Sequence, residues 1–113
     1  MNKSAACVAI LVLILSAASR AQQQHSQSNC SELRACVEKM HAAMLSVDAS
    51  GESDVDFVKL MLPHHQAAID MAKLQLMHGK DPQLRRLAQE IITDQQSEIE
   101  LMQLWLRQHQ PQK

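Results

Sequence analysis

Two runs of apolar residues at helical spacing, joined by one short turn, constrain this chain more than anything else in it. Phe57, Val58, Met61, Leu62, Ala68, Ile69, Ala72 and Leu76 make the first run. Leu84, Leu87, Ala88, Ile91, Ile92, Gln95, Ile99, Met102 and Leu106 make the second. Recurrence every three or four positions marks one side of a helix, and a short join makes the two helices antiparallel neighbours. A weaker repeat of Leu33, Val37, Met40 and Met44 predicts another helix from Glu32 to about Ser46. No segment alternates with a period of two. The expected fold class is all-α, a short bundle of three main helices.

Local signals set the boundaries. Gly51 among small acidic residues makes 48–56 a link, with the second helix starting near Ser53 or Asp54. Pro63 falls inside that helix and removes one backbone donor, so a bend is expected there rather than a break, because the apolar pattern continues through it. Gly79 reads as the C′ residue after His78, with Lys80 beside it. Asp81 then caps the third helix, with Pro82 at its first position. That helix runs to about His109, before Pro111 and a polar tail over 111–113.

The beginning of the chain predicts export. Lys3 precedes a 14-residue apolar stretch, Ala5 to Ala18, and Ser19-Arg20-Ala21 places small residues at the minus-three and minus-one positions of a cut before Gln22. The stretch is shorter than the roughly 20 residues of a membrane span, so no stable span is expected after cleavage. Cys7 lies at the front of the apolar run, which argues against lipid attachment. The expected division is a signal peptide over 1–21, a flexible polar leader over 22–30, and a helical domain over 31–110. The expected location is the periplasm or the exterior.

Residues 22–113 carry 9 Lys and Arg against 12 Asp and Glu, a formal charge of −3, and only Phe57 and Trp105 as aromatics. Nucleic-acid binding lacks both the charge and the stacking surface it needs. Cys30 and Cys36 would survive processing, and in an oxidising compartment they are expected to pair if Cys30 sits in a turn. Free or intermolecular thiols and thiolate metal ligands are the alternatives. One domain of this size is marginal without a crosslink, a metal or a partner. Wide apolar coverage of the second helix fits completion by a homodimer, while a compact monomer stapled at Cys30 and Cys36 is the other outcome.

The chemistry concentrates in Met61-Leu62-Pro63-His64-His65-Gln66-Ala67-Ala68-Ile69-Asp70-Met71-Ala72. Adjacent histidines point about 100° apart, and Met61 and Met71 bracket them. The third helix offers Gln95, Glu98 and Met102 on one side. Antiparallel packing can bring His64 or His65 to Glu98 and Met102, with Met40 or Met44 closing the cluster. Thioethers select Cu(I) or Ag(I), while imidazole serves copper in either oxidation state as well as zinc. A carboxylate from Glu98 would favour Cu(II), zinc or iron; a Met-and-His set outside the cytoplasm fits copper better than zinc. Methionine is also an ordinary core filler, and a structural bundle without metal is the competing reading. His41, His78 and His109 read as surface or cap residues, and Asp70 as solvent-facing or paired with Lys73 or Lys59. Glu98 and Glu100 have no histidine three residues on, so a carboxylate-bridged di-iron centre is not expected. Without HEXXH, a nucleophile elbow or a phosphate loop, enzymatic turnover is not expected either.

The Met61–Ala72 run, with Asp56-Phe57 before it and Ala88, Ile91, Ile92, Gln95, Glu98-Ile99, Met102 and Trp105-Leu106 after it, resembles a secreted bacterial family catalogued as domain of unknown function 305. The resemblance covers about residues 54 to 107. It implies export, a ferritin-like helical bundle, and periplasmic copper binding through Met and His side chains. Carried to this chain, it points to His64, His65, Met61 and Met71, with Glu98 and Met102 behind them. A periplasmic copper-handling protein is then an expected partner.

Overall fold

A computed structural model of the chain describes residues 3–109. It contains three helices, α1 Lys3–Leu45, α2 Ser53–His78 and α3 Pro82–His109, and no strand among the described residues. The protein is an all-α helical bundle. The described residues divide into two compact units, one up to residue 31 and one from residue 32.

In the first unit the polar stretch 22–28, expected as a flexible leader, is helical and belongs to α1. The reason lies in what the stretch lacks. Gly51 is the first glycine and Pro63 the first proline, while glutamine, four of the seven residues over 22–28, is a good helix former. Ser31, inside the helix, donates its hydroxyl to the Ser28 carbonyl at 2.7 Å. Cys30 and Cys36 are free thiols, and helix occupies the place of the turn that a bridge would have needed. The tail, 111–113, lies outside the described residues.

In the second unit, α2 stays one helix through Pro63, as the pattern predicts. At its start, Ser50 N–H donates to Asp56 Oδ1 at 2.8 Å and folds the link back onto the helix. Gly51 sits there at φ +85°, a conformation that favours glycine. At its end the expected left-handed glycine does not form. Gly79 is extended at φ −71°, with its N–H on the Gln75 carbonyl. Glycine is needed there for space, since a Cβ would meet the Gln75 side chain and carbonyl. The last carbonyls are covered by Arg85 rather than Lys80: its Nη1 donates to Leu76 O at 2.5 Å and Gly79 O at 3.0 Å. Asp81 caps α3 as predicted, accepting from Gln83 and Leu84 N–H at 2.9 Å each.

Helices α2 and α3 pack side by side, and the core lies mainly between them. Val58, Ile69, Ala72, Ala88 and Ile99 are buried, and alanines on both helices let the backbones approach closely. The C-terminal part of α1 runs antiparallel along another side of α2, with Glu32 on His78 at 3.0 Å and Lys39 near Asp70 at 3.6 Å. Asp70 therefore pairs with Lys39 and Gln66, not with Lys73 or Lys59. His78 is held by Glu32 rather than standing at the surface. Leu84 and Leu87, expected on the buried side of α3, are about half exposed.

Candidate functional site

The site begins with helical phase. At 3.6 residues per turn, Val58, Leu62, His65, Ile69, Ala72 and Leu76 share one seam of α2. Ala88, Ile92, Gln95, Ile99, Met102 and Leu106 share the matching seam of α3. His65 thus enters the α2–α3 contact, at 9% exposure, and is the one buried polar residue among the described residues. His64, one position earlier, is exposed.

Both ring nitrogens of His65 have partners. Nδ1–H donates to the Met61 carbonyl at 2.9 Å, which fixes the tautomer because a carbonyl only accepts. Nε2 meets Glu98 Oε2 at 2.6 Å, a short hydrogen bond. Neither ring nitrogen is open, and an ion binding at Nε2 would have to displace Glu98 from it. Glu98 is about half exposed, so the pair joins the interior to a surface.

The remaining predicted donors are spread out. Met61 is half-buried one turn before His65, and Met102 one turn beyond Glu98. Met102 lines a hollow of about 360 Å³ with Phe57, Val58 and Trp105. Met71 lines a second hollow, of about 430 Å³, with Leu33, Leu84 and Leu87. Met40 does not close the cluster. It lines a crevice of about 80 Å³ on the α1 side of α2, with Cys36, Pro63 and Asp70. Among the described residues no group of three or more His, Cys, Asp and Glu could hold a metal ion. A single copy therefore supplies one imidazole–carboxylate pair with a thioether one turn away on each helix, both toward the same end of the α2–α3 pair.

Sequence reasoning left open which histidine faces α3, although the phase of His65 with Val58, Ile69 and Ala72 carried the answer. It also missed the stacking of His109 on Trp105, at 4.1 Å between ring centres. The four-residue spacing of that pair was the available signal.

Similar proteins place this arrangement in a family. An uncharacterized protein, L153, of Acanthamoeba polyphaga mimivirus is 43% identical over 49 residues, which are 43% of this chain and 32% of that one. The chain spans about a third of the length of that relative. The match to the family described as Domain of unknown function (DUF305) runs over residues 9–112, nearly the whole chain, and the protein belongs to that family.

Proposed function

We propose that this protein is an exported, ferritin-like metal-binding bundle that holds copper, as Cu(I), at the level of His65 and Glu98, and does so without turnover. The observation that carries the reading is the buried imidazole of His65 meeting a carboxylate on the neighbouring helix at 2.6 Å. Met61 and Met102 stand one turn from these two groups. A mix of imidazole, carboxylate and thioether suits copper, whereas calcium and magnesium take oxygen donors alone. Export rests on Lys3, the apolar run 5–18 and the small residues before Gln22. Among the described residues no helix is long and apolar enough to cross a membrane. A copper-handling protein of the same compartment is the partner that would load or unload the ion.

Titration of the purified protein with Cu(I) against a competing chelator tests the reading. Stoichiometric uptake is expected, weakened at least about tenfold in the His64→Ala/His65→Ala double variant, a loss of roughly 1.4 kcal/mol. Equal uptake by the double variant rejects this site.

One observation favours a second reading, a bundle stabilised by the same pair with no metal: both nitrogens of His65 are already satisfied. On that reading His65→Ala lowers the metal-free melting temperature, and copper changes the melting of neither protein.

A further inference from the structure

Outside the α2–α3 seam, each of these helices carries a second stripe, which among the described residues ranges from half-buried to exposed. On α2 it is Phe57, Met61, His64, Ala68, Met71 and Gln75, spaced four, three, four, three and four. On α3 it is Leu87, Ile91, Asp94, Glu98, Leu101 and Trp105, with the same spacing. Alternation of three and four is the spacing of a helix–helix seam. Each stripe lies about 100° around its helix from the inner one.

Met61, Ala68, Gln75, Ile91 and Trp105 are half-buried in these stripes, and the other members are exposed. Phe57 is 61% exposed, Met71 36%, Leu87 49% and Leu101 66%. The hollows of about 430 Å³ and 360 Å³ lie toward the two ends of this face. Polar groups occupy its middle: His64 on α2, with Asp94 and Glu98 on α3, all exposed. The face is thus apolar at both ends and bears donors at its centre.

Its size suits one occupant. The stripes run 18 steps, Phe57 to Gln75 and Leu87 to Trp105, or about 27 Å, and two adjacent helices are about 20 Å wide. The product, on the order of 540 Å² from each copy, reaches the roughly 1,000 Å² in total that a specific interface needs. The face is also self-complementary. A twofold axis parallel to the helices lays α2 on α3 of the second copy, and each polar middle meets the other at one level. His64 then faces carboxylates, whereas α3 on α3 would set acid against acid.

We propose that a second copy of this chain docks on these paired stripes, and that His64, Met61 and Glu98 of both copies complete a donor set that one copy lacks. The metal half of this inference rests on the copper reading above, and the docking half does not.

Sedimentation velocity of the metal-free protein tests the docking half. Twice the chain mass is expected. Phe57→Glu and Leu87→Glu should each weaken association at least about tenfold, with far-UV circular dichroism unchanged because both side chains are exposed. Leu104→Glu, at an exposed leucine off the stripe, should leave the dimer intact. A monomer at every concentration overturns the inference, as does a dimer that Phe57→Glu and Leu87→Glu leave intact while helical. Titration of the same proteins with Cu(I) tests the metal half. Affinity should fall at least about tenfold in helical, monomeric Leu87→Glu, and equal affinity there overturns completion by the second copy. A dimer that binds no copper leaves docking standing and removes the copper reading, while tight binding by a strict monomer does the reverse.

Discussion

At the scale of single residues, adjacent side chains on a helix lead separate lives. His65 lies inside with two hydrogen bonds, and His64 lies outside, one step of 100° away. Asp56 shows how a surface residue can shape a link. Hydrogen bonding from Ser50, by its side chain first and its backbone N–H next, holds the carboxyl below its ordinary value of 3.8; Lys59 adds to the effect and desolvation opposes it. A depressed carboxyl contributes in full above its unfolded value, and the contribution is lost as pH falls through the folded one. The link over 48–52 should therefore loosen only below about pH 4. The amide resonance of Ser50, followed by NMR through an acid titration, should move with the Asp56 carboxyl. The same resonance should stay still below pH 4 in Asp56→Asn.

At the scale of elements, the α2–α3 seam holds the site in place. Ile69 is 2% exposed at its centre, so Ile69→Ala should cost about 2–4 kcal/mol. Leu104→Ala, at a leucine 45% exposed, should stay within roughly 0.5 kcal/mol. Urea unfolding of the two variants checks the contrast. Helices α2 and α3 were legible because period, Gly79, Asp81 and Pro82 all pointed the same way. Helix α1 was underestimated: glutamine-rich polarity looked like disorder, although the segment held no residue that breaks a helix. The meeting of His65 with Glu98 was legible as one option among several. What decided it was the phase of the inner seam, which an apolar inventory pooling neighbouring positions such as 57 and 58 conceals. The role of Arg85 at the end of α2 was not legible, because it depends on how α3 turns back.

At the scale of the whole molecule, a bundle with half-exposed Leu84, Leu87 and Leu101 has apolar surface left over for a partner. If a second copy covers it, stability depends on protein concentration. The melting temperature should then rise by roughly a few degrees for each tenfold increase in concentration. Phe57→Glu should flatten that dependence, and differential scanning calorimetry at several concentrations reads it directly. The His65–Glu98 bond acquires a wider meaning in this setting. Its imidazole belongs to the packed interior, and its carboxylate belongs to the open face. Whatever grips Glu98 from outside, be it an ion or another chain, tugs on the one polar anchor at the heart of the bundle, so that news from the surface reaches the core by a single atom-to-atom link.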